Sequence, residues 1–352
     1  MIEPRAFVNE IEEYKPPLKG RRGFLRLDFN ENTLGCSPMV MEAIKNISEE
    51  EIAAYPEYNN FKGKLASLLG VSQNNILITN ATDEAIMLVM QTYVEPKDEV
   101  IIPTPTFVMF RFYANLVQAK IKEVLYTRNL LFPAKKVLNA ITKKTRLLVL
   151  CNPNNPTGTS IKEKDLLKIL EKSNKNRVIV LLDEAYVQFT GKSYISLIKG
   201  FDNLFVLQTF SKAYGLGGLR IGYMVSDSRN IESISKIKSP YSVSSVAIAA
   251  ASKAIEDLEY VNWYVSEIKK AKKILYDGLK RLGVRYYPSD ANFLIVKFGK
   301  DCVSIKNKLR EKGILVRDRS SYPLLQGCLR VGIGTVKQTK KFLSVLEEII
   351  NG

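Results

Sequence analysis

The pattern that most constrains the fold is an alternation. Between about residues 76 and 226, short apolar runs suited to strands are separated by stretches with helical spacing. The candidate strands are Ile76–Thr79, Val100–Pro103, Ile121–Leu125, Leu147–Leu150, Val178–Leu182, Leu204–Leu207 and Arg220–Val225. Several are apolar at nearly every position, as a strand is when both faces of its sheet are covered. The intervening stretches Thr82–Tyr93 and Glu163–Lys172 repeat their apolar residues with the helical period. Such strand–helix repetition predicts an α/β domain, helices layered on a mostly parallel sheet.

Past residue 240 the pattern changes. A long helical region runs from Val243 to Leu282, followed by strands at Phe293–Lys297 and Cys328–Ile333 and helices near Val303–Lys312 and Val336–Ile349. That reads as a smaller α+β domain. The first 40 residues or so are extended and Pro-rich (Pro16-Pro17, Pro38), suited to drape over the small domain or a partner subunit. The 352 residues are enough for two cores. The expected division is an N-terminal segment 1–40, a large domain 41–240 and a small domain 241–352.

Composition removes classes of function. There is no histidine, which excludes a Ser-His-Asp or Cys-His machine and any His-ligated metal site. Proton transfer falls to Lys, Tyr, Asp, Glu or a cofactor. The four cysteines, Cys36, Cys151, Cys302 and Cys328, are scattered. They read as reduced, buried thiols, not as a zinc site or a disulfide framework. The net charge of +16 lies largely on helix-like segments such as Lys162–Lys175 and Lys269–Lys280. It reads as a lysine-rich surface, with attraction of anionic small molecules as the functional alternative. No basic block interleaved with aromatics indicates nucleic acid. No apolar run approaches the ~20 residues of a membrane span. The N-terminus Met1-Ile2-Glu3-Pro4-Arg5 has no apolar signal core behind its charges, so a cytoplasmic location is expected.

Chemistry concentrates in Thr209-Phe210-Ser211-Lys212-Ala213-Tyr214-Gly215-Leu216-Gly217-Gly218-Leu219-Arg220. The strand-like run Leu204–Leu207 leads into one lysine set between two hydroxyl residues and a glycine-rich turn that ends in arginine. A lysine there can form a Schiff base with the aldehyde of pyridoxal 5'-phosphate (PLP), and Ser, Thr and Arg can hold its phosphate. Asp183, ending the strand Val178–Leu182, stands where α/β sheets build sites, and beside a pyridine nitrogen it would keep that nitrogen protonated. A nucleotide hydrolase would also place an acid pair after an apolar run. However, Gly191-Lys192-Ser193 lacks the glycine its phosphate loop needs, since position 186 is Tyr186. Gly215-Leu216-Gly217-Gly218-Leu219-Arg220 fails the dinucleotide rule, with Arg220 in the third glycine position.

Other stretches support the same reading. Asn152-Pro153-Asn154-Asn155-Pro156-Thr157-Gly158 makes a rigid turn after a strand. It is a simple turn, or one that aims the Asn155 amide at the cofactor's phenolic oxygen, which Tyr186 also reaches. Asn80-Ala81-Thr82-Asp83-Glu84 opens a helix. It is either an ordinary cap by Thr82 or Asp83, or a set of free N–H groups for a phosphate. Arg330 in a strand and Arg317 in Val316-Arg317-Asp318-Arg319 are candidates for fork-shaped recognition of carboxylate or phosphate.

With these residues in view, the chain resembles the fold-type I PLP-dependent aminotransferases, and within them the histidinol-phosphate aminotransferase branch. The resemblance is nearly full-length. It is carried by Leu27–Asn32, Tyr55-Pro56, Thr82–Ala85, Pro105–Phe107, Asn152–Gly158, Asp183–Tyr186, Ser211–Ala213, Gly218–Arg220 and Arg330. It implies that Lys212 carries the cofactor and shuttles the proton, with Asp183 paired to the pyridine nitrogen. It further implies that Asn155 and Tyr186 bind the phenolic oxygen and that Phe107 lies against the ring. Thr209, Ser211, Arg220 and the backbone at Ala81 and Thr82, with Asp83 beside them, would hold the phosphate. Tyr55 would reach the phosphate of the neighbouring subunit, which implies an obligate homodimer with shared sites. Arg330 would bind the carboxylate of glutamate, and Arg317 the substrate phosphate or glutamate's distal carboxylate, with Arg319 the alternative for that distal anion. Asn30 and Tyr14 would touch the substrate.

The implied reaction converts histidinol phosphate plus 2-oxoglutarate into imidazole-acetol phosphate plus glutamate. An aromatic amino-acid aminotransferase or a threonine-phosphate decarboxylase would use the same machinery, and a non-catalytic PLP-fold regulator would add a reader module. Two positions depart from the pattern. No glycine precedes the Asp83-Glu84 pair, and Ser242 stands where relatives often have Asn.

Overall fold

The computed structural model describes residues 2–352 except Glu12, Tyr14 and Leu18. Tyr14, expected at the substrate, therefore lies outside the described residues.

A short strand β1 (Leu25–Arg26) precedes three helices, α1 (Pro38–Lys45), α2 (Glu49–Ala53) and α3 (Asn59–Leu69). Ser37 caps α1 by accepting the Met39 N–H, with Pro38 in the first turn where no N–H is needed. Ser48 and Glu51 form a capping box on α2.

The alternating region then folds as expected. In chain order it comprises β2 (Ile76–Thr79), α4 (Ala81–Tyr93), β3 (Glu99–Thr104), α5 (Val108–Leu116), β4 (Lys120–Leu125) and α6 (Ala134–Ala140). It continues with β5 (Thr145–Cys151), α7 (Glu163–Lys175), β6 (Ile179–Asp183), α8 (Val187–Thr190), β7 (Leu204–Thr209), β8 (Gly222–Val225) and α9 (Ser228–Ser235). The strands form a seven-stranded sheet in the order β2-β8-β7-β6-β5-β3-β4. All neighbours are parallel except at β8, which runs against β2 and β7. Leu148, Leu150, Val180, Leu182 and Val206 enter one core cluster. Their neighbours Leu147, Val149, Ile179, Leu181 and Phe205 enter another. Two-faced burial is why these strands are apolar at successive positions.

Helix α10 (Ser245–Glu256) and helix α11 (Leu258–Arg281) divide the long helical region at Asp257, whose carboxylate caps α11. Helix α10 joins the large-sheet core through Ala247, Ala250, Ala251 and Ala254. Helix α11 joins a third cluster, around the small sheet, through Val261, Tyr264, Ile268 and Leu275. The remaining elements are β9 (Arg285–Tyr287), β10 (Phe293–Lys297), α12 (Cys302–Glu311), β11 (Ile314–Leu315), β12 (Arg317–Asp318), β13 (Cys328–Gly332) and α13 (Val336–Asn351). Strands β12-β13-β10-β9 form an antiparallel sheet backed by α11 and α13. The N-terminal segment is tied to this part: β1 pairs in parallel with β11, and the Leu27 carbonyl accepts the Gly332 N–H at 2.7 Å.

Candidate active site

Parallel strands end along one edge, and open α/β sheets build their sites there. Cys151, Asp183 and Thr209 are the last residues of β5, β6 and β7. Strand β8 runs the other way, so it starts at this edge, with Gly222 opposite Thr209 and Thr79. Arg220, just before it, is delivered to the same place. A cleft opens over the edge, with an empty volume of about 800 Å³ including its mouth. The large sheet and its loops line it with Cys151, Asn155, Asp183, Tyr186, Thr209, Ser211, Lys212 and Arg220. The starts of α4 and α5 add Ala81, Thr82, Asp83, Thr106, Phe107 and Val108, and the N-terminal segment adds Phe29 and Asn30. Arg330, Arg319 and Tyr322 close it from the small-sheet side.

Asp183 is buried, and its carboxylate accepts the Ala185 N–H at 3.0 Å. Burial pushes its pKa up to about 7, because the charged form lacks water. Lys212 is lowered to about 8, first by desolvation and then by the nearby guanidinium groups of Arg330 and Arg220. Its ammonium donates to the Phe29 carbonyl at 3.2 Å and faces the Tyr186 ring at 5.8 Å. The Asn30 side chain donates to the Tyr186 hydroxyl at 3.0 Å. Burial pushes the Tyr186 hydroxyl pKa well above its ordinary value.

At one end the cleft is an anion cradle. Thr209 Oγ1 donates to Ser211 Oγ at 2.9 Å, and Arg220 reaches Ser211 Oγ at 3.3 Å. Arg220 also pairs with Asp83 at 2.8 Å. Helix α4 begins at Ala81, and Asn80, its N-cap, makes no side-chain cap. The first-turn N–H groups are thus left for another acceptor, at the positive end of the helix. Thr82 and Asp83 do not take the N-cap position. A Cβ at Gly222 would come within 2.7 Å of the Gln208 carbonyl and 3.0 Å of Ala81 Cα, so only glycine lets β8 lie this close to the start of α4. Three non-glycine residues of the lining, Asn30, Ala81 and Arg220, have φ of +56°, +56° and +53°. Left-handed backbone of this kind gathers at sites.

At the other end Arg330, buried in β13, donates to Asn155 Oδ1 at 2.6 Å and to the Asp28 carbonyl. Arg317 pairs with Arg330 across the strands, but its guanidinium lies 5.4 Å from the Phe29 ring and lines an adjoining cleft. Arg319, two residues on and therefore on the same face, lines both clefts. It is buried, and it donates to the Tyr322 hydroxyl at 3.2 Å. Phe107, the residue before α5, is half-buried at the wall. Tyr55 is outside the cleft of its own chain; it is 74% exposed and stacked 4.2 Å from Tyr241.

The cleft thus gathers every expected site residue except Arg317, Tyr55 and the undescribed Tyr14. It adds Phe29, Thr106, Val108, Cys151, Pro156, Ala185 and Tyr322, and it takes in Arg319, the alternative to Arg317. Phe29 and Thr106 lie inside stretches already singled out for their neighbours. Tyr322 carried no sequence signal, because it reaches the cleft through the connection between β12 and β13. A weakly basic amine, a buried acid, an anion cradle and a buried arginine within one cleft can condense with a carbonyl, move a proton and hold two anionic groups.

Fold and site together bring one desolvated lysine amine to the strand-end edge of an α/β sheet. The chain belongs to the class I and II aminotransferases, whose family model matches residues 22–346. Similar proteins include a histidinol-phosphate aminotransferase of Geobacillus sp. (strain WCH70), 34% identical over 99% of this chain and 96% of its own. One of Methanocaldococcus jannaschii is 36% identical over 93% of this chain and 89% of its own. Among solved structures, the histidinol-phosphate aminotransferase of Sinorhizobium meliloti in complex with pyridoxal-5'-phosphate superposes with a TM-score of 0.89. It is 25% identical and covers 98% of this chain and 97% of that one.

Proposed function

We propose that the enzyme is a PLP-dependent aminotransferase that converts histidinol phosphate and 2-oxoglutarate into imidazole-acetol phosphate and glutamate. The observation that carries this reading is one cleft joining Lys212, Asp183 and the Thr209–Ser211–Arg220 cradle to Arg330.

The residues fit the cofactor. Asp183, with its pKa raised by burial, has the position and charge to suit a protonated pyridine nitrogen, which would restore its ionised form. The uncapped start of α4 and the two hydroxyls suit a phosphate. When bound, PLP supplies an aldehyde that condenses with amines and an electron-poor ring that stabilises negative charge at the donor carbon.

The chain's own residues do the rest. Lys212 Nζ, lowered toward neutral pH, is available as an unprotonated amine and then carries the proton removed from the donor carbon. Asp183 would keep the pyridine nitrogen charged. Tyr186 and Asn155 would hold the phenolic oxygen, and Phe107 would pack against the cofactor. Thr209, Ser211, Arg220 and the Ala81 and Thr82 amides, with Asp83 orienting Arg220, would hold the phosphate. Arg330 takes the carboxylate of glutamate and of 2-oxoglutarate. Arg319 at the cleft wall and Arg317 behind Phe29 supply positive charge for the donor's phosphate, and Asn30 stands beside the donor through its contact with Tyr186. Both half-reactions use this one cleft, so the kinetics are ping-pong.

The enzyme acts as a homodimer in this reading, with Tyr55 completing the partner's phosphate site. Met39, Met41, Ile52, Tyr55 and Tyr241 are all exposed in the single chain, an apolar set that a second copy would cover. Four free cysteines suit the reducing cytoplasm, where we place the enzyme. Among the described residues no helix is long and apolar enough to cross a membrane.

A panel of amines with 2-oxoglutarate tests the reading. Glutamate should form with histidinol phosphate well above the rate with phenylalanine. Preference for phenylalanine, or release of carbon dioxide from threonine phosphate, would replace it.

A further inference from the structure

We propose that Arg21, which does not line the cleft, is the positioning residue that fixes the arch of residues 28–31 against it. The inference rests on the aminotransferase reading for its consequence, not for its geometry.

The side chain of Arg21 is 12% exposed and holds two carboxylates at once. Nε and Nη2 donate to the two oxygens of Asp28 at 3.0 and 2.8 Å. Nη1 and Nη2 donate to the two oxygens of Glu31 at 3.2 and 2.8 Å. The guanidinium plane also lies 4.2 Å from the Phe29 ring between them. One rigid fork therefore pins both feet of a four-residue arch.

Three successive residues of the arch each reach a different site group. The Asp28 carbonyl accepts from Arg330, the Phe29 carbonyl accepts from Lys212, and the Asn30 side chain donates to Tyr186. Asn30 itself stands at φ +56°, a left-handed conformation that asparagine tolerates better than most residues. Its carbonyl is held by the Asn292 side chain at 3.1 Å. Without Arg21 the Asp28 carboxylate would lose its paired cation and Glu31 would keep only the half-exposed Arg26 at 3.5 Å, so nothing would tie the two feet together and the arch would spread. Arg330 would then lose a carbonyl that orients it for a carboxylate. A lysine at 21 keeps the charge but cannot make both two-point contacts.

The test uses Arg21→Gln, Arg21→Lys and the triple variant Arg21→Gln/Asp28→Asn/Glu31→Gln, which removes the charges of the fork together, leaves only the half-exposed Arg26 without Glu31, and guards against simple misfolding. Hydrogen exchange on the cofactor-free proteins reads the arch directly. The amides of Leu27 and Gly332, which are hydrogen-bonded where the arch begins, should exchange roughly tenfold faster or more in all three, with β5–β7 unchanged. In the glutamate half-reaction of the loaded enzymes, KM should rise roughly ten- to hundredfold with kcat little changed. Arg21→Lys should not restore it. Unchanged exchange at Leu27 and Gly332, or an unchanged KM beside a loss of thermal stability alone, would overturn the proposal. A wild-type enzyme inert toward glutamate would instead count against the aminotransferase reading, while the exchange result would still decide the role of Arg21.

Discussion

At the scale of single residues, the account turns on ionisation. Lys212 is lowered from the ordinary 10.5 to about 8, chiefly by burial. The neutral amine attacks the aldehyde, so capture of PLP by the cofactor-free protein should accelerate with pH up to about 8 and then level off. A midpoint near the ordinary lysine value, read by stopped-flow absorbance, would contradict the environment described for Lys212. Replacing Lys212 by Ala removes both the amine and the proton carrier, and turnover should drop at least ~10³-fold. The arginines separate by substrate. Arg319→Gln and Arg317→Gln should each cost the phosphorylated donor about 2–5 kcal/mol in kcat/KM if they meet its phosphate in a desolvated pair. Steady-state kinetics with phosphorylated and unphosphorylated donors checks this, and equal losses for both would remove that role. Lys212, Asp183 and Arg220 were legible in the sequence because each sits at a fixed offset from a recognisable strand end. Arg21, Phe29 and Tyr322 were not, since their contacts are with residues hundreds of positions away or arise from loop geometry that no local pattern encodes.

At the scale of elements, periodicity located all seven strands of the large sheet, with ends shifted by one or two residues. It did not reveal that β8 runs antiparallel. That direction follows from the turn 210–221, whose return brings Gly222 opposite Thr209. The long helical region also read as one stretch, because the break at Asp257 uses an acidic cap with neither proline nor glycine. The two-residue strands β1, β11 and β12 are too short for any period to appear. The closeness of β8 to α4 gives a test at this scale. Gly222→Val would drive a Cβ into Gln208 and Ala81. It should destabilise by about 1–3 kcal/mol, as overpacking does, and weaken PLP binding by loosening the start of α4. Gly218→Ala, with nothing within 4 Å of the added carbon, should do neither. Denaturant unfolding and cofactor titration report both.

At the scale of the whole molecule, the large-sheet and small-sheet cores meet over one cleft, and the N-terminal segment is tied to the small-sheet side by β1 and reaches Lys212 through the arch of residues 28–31. The net charge of +16 surrounds a site whose proposed substrates are anions, so kcat/KM should fall as ionic strength rises. Shared sites make a further claim. Lys212→Ala and Tyr55→Ala proteins, each impaired alone, should regain activity when their subunits are mixed and exchanged, because one composite site is intact. No recovery in a verified mixed dimer would deny that Tyr55 crosses the interface. The central claim, a single covalent attachment point for PLP, is tested most directly by reducing the PLP-loaded enzyme with borohydride and mapping its peptides by mass spectrometry. The account predicts a pyridoxyl group on Lys212 alone; a label on another lysine, or none, would contradict it.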